Sequence, residues 1–323
     1  MNLPYLLRLA CASSAVFFLL NALLGLAVWL AAPFAIRAAE RMAARGAARF
    51  LFALRLLPAG LSLLAVVCVC VPSYLWLEPV DVPERVGFLC LAAALAGAGV
   101  WTASLVRVFR ALARSRAFLR HCRGFAREVL LPHDPAPVWL LENSNPSVAL
   151  AGIVRPRLLV GASVLRALSP GELTAALRHE RAHQRSRDNL KRLWLLLSPD
   201  CLPGIRAFAN IDRAWARFAE WAADDSSTQG DARRALSLAA ALVRVSRMSA
   251  AAPPPVLATP LLGAASDLAV RVDRLLSENS RRATRRAVPL ALAAPALVGI
   301  VLGTMLDPAI LQAAHRFMET LID

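Results

Sequence analysis

Four stretches of this chain are apolar on every side, with no period that would divide a buried face from a wet one: residues 9–36, 56–77, 86–105 and 287–306. Each reaches the ~20 residues a helix needs to cross a bilayer, so the pattern predicts four transmembrane helices. The first run has almost no positive charge before it, is too long for a cleaved leader, and is followed by strong charge. It reads as a retained span.

Between the third and fourth runs the pattern changes. Val138-Trp139-Leu140-Leu141, a polar stretch at 142–147, and Val148-Ala149-Leu150 have the look of a β-hairpin. Gly152 and Pro156 then break the run before Arg157-Leu158-Leu159-Val160 resumes it. A strand at Val148, Ala149 and Leu150 could hold an extended peptide by strand addition, or it could be an ordinary core strand. Ser169-Pro170-Gly171-Glu172 opens a helix: serine caps the amides, proline suits the first turn, and glutamate completes a capping box. The chain divides accordingly into three spans within 1–106, a domain at 107–286, and a last span with a short tail at 287–323.

Composition sharpens this picture. Hydrophobic residues make up 58% of the 323 positions and mean hydropathy is +0.52, too apolar for an ordinary soluble protein. The net charge of +15 is carried almost wholly by arginine, with Lys191 the only lysine. No nucleic-acid-binding motif accompanies it, so direct nucleic-acid binding is not expected, and anionic lipid headgroups account for the arginines more simply. Arg37, Arg41, Arg45, Arg49 and Arg55 follow the first run, seven arginines from Arg107 to Arg127 follow the third, and Arg281, Arg282, Arg285 and Arg286 precede the fourth. The short link between the second and third runs holds Glu78, Asp81 and Glu84 against Arg85 alone. The positive-inside rule then places the N-terminus outside, 107–286 in the cytoplasm, and the C-terminus outside. The six cysteines show no paired spacing; Cys11, Cys68, Cys70 and Cys90 lie in apolar runs and behave as small hydrophobes. Gly299 and Gly303 form a G-x-x-x-G pair that suits packing within this chain's own bundle or contact with a second copy, a homo-oligomer.

The chemistry is concentrated in His179-Glu180-Arg181-Ala182-His183, an H-E-x-x-H pattern. Histidines at i and i+4 share a helix face and can reach one metal ion, while the intervening glutamate can deprotonate the attacking water. Leu173, Ala176, Glu180 and His183 fall on one stripe, so the pattern faces inward as a shielded site requires. Two histidines leave a catalytic zinc one protein ligand short. Glu220, on a segment striped by Ile211, Trp215, Phe218 and Ala222, is the better candidate; Cys201 follows Asp200 in a proline-bounded turn and is not convincing. Asp224, one turn beyond Glu220, could accept the outer N–H of a ligating histidine, and Asp188 is a weaker candidate for the same role. Tyr5 and Tyr74 are the only tyrosines and lie outside the domain, which leaves Arg271, Arg274, His121 or His133 as candidates to stabilise an oxyanion.

At these residues the chain resembles the BlaR1/MecR1-type membrane metallopeptidases, peptidase family M56, whose fold is related to that of the HtpX group. The matching segments are Asn145-Pro146-Ser147-Val148-Ala149-Leu150-Ala151-Gly152, Arg155-Pro156-Arg157-Leu158-Leu159-Val160, Leu168-Ser169-Pro170-Gly171-Glu172-Leu173, the H-E-x-x-H run, Arg187-Asp188-Asn189-Leu190, and Glu220 with Asp224. The resemblance implies a multi-pass helical protein of the bacterial inner membrane, with an α+β zincin-like (gluzincin) cytoplasmic domain between helices three and four. It also implies one zinc per chain on His179, His183 and Glu220, Glu180 as general base, and a strand around 148–150 that holds substrate backbone. The antibiotic-sensing members carry a penicillin-binding domain after the fourth span; this sequence has no S-x-x-K nucleophile motif and stops at Asp323, so direct β-lactam sensing is not expected.

The leading expectation is an integral-membrane zinc endopeptidase in signal transduction, with a BlaI-type transcriptional repressor as the substrate the resemblance suggests. The competing enzyme reading is HtpX-like quality control of membrane proteins. A reading from another class is a non-catalytic membrane receptor with a structural zinc site.

Overall fold

The computed structural model describes residues 5–78, 86–131, 134, 136–142, 148–153, 155–201, 206–248, 258–260, 268–277 and 308–322. Three of its helices are long and apolar enough to cross a membrane: α1 (Tyr5–Glu40), the run Ala44–Leu77, and α4 (Phe88–Phe125). The second consists of α2 (Ala44–Ala65), a π-helical turn at Val66–Cys70, and α3 (Val71–Leu77). Pro72 in α3 lacks the N–H that a regular helix would aim at the fourth residue before it; the wider π turn directly ahead accommodates that loss. The expected fourth span at 287–306, with its glycine pair, lies outside the described residues.

Tight packing of α1 against α4 rests on small residues. A Cβ at Gly97 would come within 2.6 Å of the Ser14 carbonyl oxygen, and the Ser14 hydroxyl donates to Ala94 O at 2.9 Å. Any larger residue at 97 would force the two helices apart.

Two expectations about the arginines change. The basic loop after the first span is a helical hairpin, because α1 runs to Glu40 and α2 begins at Ala44, so Arg45, Arg49 and Arg55 are helical. Arg55 is buried: its guanidinium lies 3.3 Å from Asp212, 3.9 Å from Asp200, and donates to Ser198 Oγ at 3.2 Å. A cation fully committed inside the protein cannot serve lipid headgroups. Likewise α4 does not stop at 105; its arginine-rich half continues the same helix to Phe125.

The polar domain is α+β. Its strands are β1 (Ala126–Val129), β2 (Val138–Leu141), β3 (Val148–Ala151), β4 (Arg157–Gly161) and β5 (Ala258–Pro260), in the sheet order β1-β2-β4-β3-β5. The expected hairpin of β2 with β3 is not formed. β4 lies between them, parallel to β2 (Trp139 opposite Leu159) and antiparallel to β3 (Ala149 opposite Leu159). The reason is local and energetic together. Gly152, at φ +98°, turns the chain out of β3 toward β4, and Leu158, Leu159 and Val160 are all buried, as suits a central strand.

Helices α5 (Ala162–Ala167), α6 (Pro170–Ser186), α7 (Asp188–Leu197), α8 (Arg206–Thr228), α9 (Ala232–Met248) and α10 (Leu268–Leu276) complete the domain. One core joins the sheet to α6 and α9 through Val138, Val148, Leu158, Ala176, Leu238 and Leu242. A second seats α8 on the α1–α2 hairpin, with Ile211, Trp215 and Phe218 against Ala32, Ala47 and Leu51. The tail proves to be a docked helix, α11 (Pro308–Ile322), packed at the other end of the bundle beside Cys11, Tyr74 and Cys90 through Met318.

Candidate metal centre

Helix α6 begins as its sequence dictates. Ser169 Oγ accepts from Glu172 N at 3.4 Å, and Glu172 Oε2 accepts from Ser169 N at 2.8 Å, a reciprocal capping box. The helix carries His179, Glu180 and His183 into the interior, each with no exposed surface. It ends at Arg187, whose left-handed backbone (φ 55°, ψ 41°) both closes α6 and starts α7. That kink folds Asp188 back on the motif.

The imidazole nitrogens His179 Nε2 and His183 Nε2 lie 3.1 Å apart, and the Glu220 carboxylate from α8 reaches 3.5 Å from the first and 3.6 Å from the second. Donors about 2.1 Å from a tetrahedral ion sit roughly 3.4 Å from one another, so this triangle has the dimensions of three zinc ligands. The outer nitrogens are also occupied. His183 Nδ1 is 2.7 Å from Asp188 Oδ2, and His179 Nδ1 is 2.9 Å from Asp224 Oδ1, slightly off the line of a good hydrogen bond. Each acid orients one ring so that Nε2 points at the shared centre.

Charge makes the same case. Glu180, Asp188, Glu220 and Asp224 converge here, and among the described residues the cations facing them are Arg271 and Lys191. The acids outnumber those fixed cations, an excess that imidazole protons or a divalent cation would offset. Both imidazoles respond to that surplus: burial alone would lower their proton affinity, yet Asp224 and Glu220 beside His179 raise it, and Glu220 and Asp188 beside His183 carry it to about 10. Burial opposes ionisation of Asp224 and Asp188 too, but Arg271 and His179 bring the first to about 2, and His183 and Lys191 the second. Glu180 differs. Burial pushes its carboxyl up to about 7, and neither oxygen has a hydrogen-bond partner among the described residues. An orphaned buried carboxyl costs several kcal/mol unless a further group, such as a cation with its water, meets it.

Arg271, from α10, is the cation built into the site. Its guanidinium is bidentate on Asp224 at 2.7 and 3.0 Å and lies 3.2 Å from Glu220. Of the three oxyanion candidates among the described residues it alone touches the centre: Arg274 pairs with Asp225 at 2.8 Å and His121 is an exposed residue beside Phe125, while His133 is outside the described residues. Cys201 is directed elsewhere, receiving a hydrogen bond from Asn21 Nδ2 at 2.9 Å.

The strand expected to hold substrate sits beside this centre, since Asn189, two residues past the kink, donates from Nδ2 to Leu150 O at 3.1 Å and Gly152 O at 2.8 Å. Val148, Ala149 and Leu150 are all buried, and β3 is paired on both sides, with β5 along its outer edge (Leu150 opposite Thr259). A peptide that added to β3 would first have to displace β5. Neither sequence signal nor spacing announced β5, which is three residues in an alanine- and proline-rich segment.

No protein-family profile matches the chain, and no curated protein matches it either.

The pairing predicts a graded response. Asp224→Asn should weaken zinc binding or activity about 10–100-fold, since Asp224 orients His179 and also anchors Arg271. Asp188→Asn should fall in the same range, read by zinc competition on the purified protein, because its contact with His183 is the shorter of the two.

Proposed function

We propose that this chain is an integral-membrane zinc endopeptidase that cleaves a cytoplasmic protein, similar in kind to the BlaR1/MecR1-type peptidases. The observation that carries the reading is the convergence of His179, His183 and Glu220 at ligand spacing with the orphaned Glu180 carboxyl beside them. Zinc, when bound by those three, supplies Lewis acidity to the scissile carbonyl and to the attacking water. Glu180, buried beside the ligands, takes a proton from that water as the water oxygen bonds to the carbonyl carbon. As the C–N bond breaks, Glu180 returns the proton to the departing amine. Arg271 holds Asp224 and Glu220 in place, so its first duty is positioning; its guanidinium is already committed to those two carboxylates.

Zinc is preferred over other ions because two imidazoles and one carboxylate make a familiar catalytic set for it. Detergent-purified protein should cleave a fluorogenic peptide library, lose that cleavage to a chelator, and regain it with zinc. Cleavage that persists in chelator would refute the proposal, as would its absence from zinc-loaded protein. Signal transduction through a BlaI-type repressor is the biological role that the sequence resemblance supports.

The arginine asymmetry supports a cytoplasmic metal domain. The described chain leaves the domain at α10, packed on α9, and resumes at α11 beside α3. A reporter inserted within 250–255 should therefore score as internal and one fused at Asp323 as external; the reverse would overturn the orientation.

A further inference from the structure

At the end of the bundle away from the metal domain, three potential ligands meet. Glu78 follows α3, while His315 and Glu319 stand one turn apart on α11. His315 Nε2 lies 3.3 Å from Glu319 Oε1 and 3.8 Å from Glu78 Oε2, and one donor atom from each residue lies within 4.8 Å of the others. These separations bracket the roughly 3.4 Å expected between donors on a tetrahedral ion. We propose that Glu78, His315 and Glu319 form a second divalent-metal site, for a zinc-class ion, on the face of the protein remote from the catalytic centre.

The geometry is held by contacts that owe nothing to the three side chains. Ser73 Oγ donates to Leu311 O at 3.0 Å, which fixes the register of α11 against α3, and Met318 is buried among Cys11, Tyr74 and Cys90. Donors from two separate elements are thus preorganised. A surface ion pair would need only His315 and Glu319, one turn apart on α11; here a nearly buried third carboxylate, with 2% of its side chain exposed, is brought to the same ring. His315 Nδ1 is shut off from solvent with no hydrogen-bond partner among the described residues, so the ring's polar contacts run through Nε2 into the cluster. Exposure rises from Glu78 (2%) through His315 (13%) to Glu319 (49%), which leaves an entry path for the ion from the surface.

Charge and donor type set the class of ion. Among the described residues, Arg8 lies 3.9 Å from Glu78 Oε1, and Glu319 faces the imidazole from the open side. One nitrogen and two oxygens suit Zn2+ and its transition-metal neighbours; Mg2+ and Ca2+ favour all-oxygen cages. In the proposed orientation this face is the outer one, so such an ion would tie α3 to α11 from outside the cell.

The test uses full-length protein in detergent with the catalytic centre disabled by His183→Ala and Glu220→Ala, so that success or failure here is independent of the peptidase proposal. Equilibrium dialysis against buffered free Zn2+ should leave about one ion per chain. Adding His315→Ala or Glu319→Gln should weaken that binding at least ~10-fold. Glu319→Gln alters a half-exposed side chain and preserves its volume, so it reports on ligation even if His315→Ala disturbs α11. No retained zinc in the disabled background would overturn the site, as would zinc whose affinity both outer variants leave unchanged.

Discussion

Glu180→Gln should leave zinc at the His179–His183–Glu220 centre while lowering peptide hydrolysis by about 10²–10⁴-fold, the range lost with a general base. The side chain is fully buried, lies one residue from a ligand, and offers neither oxygen to a hydrogen-bond partner among the described residues. The amide is isosteric and uncharged, so it removes proton transfer without opening a cavity. Metal analysis of the purified variant beside its peptide cleavage separates the two quantities. Loss of zinc along with activity would make Glu180 a ligand; retention of both would remove it from the chemistry and favour a site that is only structural.

Glu220→Ala should do the opposite and empty the centre. It takes away one of three ligands and also a carboxylate 3.2 Å from Arg271, whose bidentate contact with Asp224 stays in place. Zinc content there should fall from about one per chain toward zero under dialysis, and hydrolysis with it, since two imidazoles alone hold the ion poorly. Full zinc and activity in this variant would overturn the ligand assignment.

The parts of this centre that lie close together in sequence were readable there. His179 and His183 share a face because of helical periodicity, and Asp224 follows Glu220 by one turn on α8. Asp188 reads as the weaker candidate in sequence for a geometric reason. Five residues beyond His183 on a continuous helix it would point about 140° away. The left-handed residue Arg187 breaks the helix and returns it to within 2.7 Å of the ring.

What depends on distant segments was not readable. Strand order required knowing that β4 is buried on both faces, and the covering of β3 by β5 joins residues more than a hundred positions apart. The sequence offers Arg271 as one of several oxyanion candidates, whereas its bidentate hold on Asp224 spans 47 positions. Three apolar helices were legible from hydropathy alone; their continuation as polar helices beyond the apolar runs was not, because arginine is as good a helix former as leucine and apolar length measures only the membrane part.

The central claim, that the chain hydrolyses protein through Glu180, is tested most directly by profiling protein N-termini in cells expressing the wild type or Glu180→Gln at equal levels. The account predicts a set of cytoplasmic termini present with the wild type and missing with the variant. Identical termini in both would contradict it.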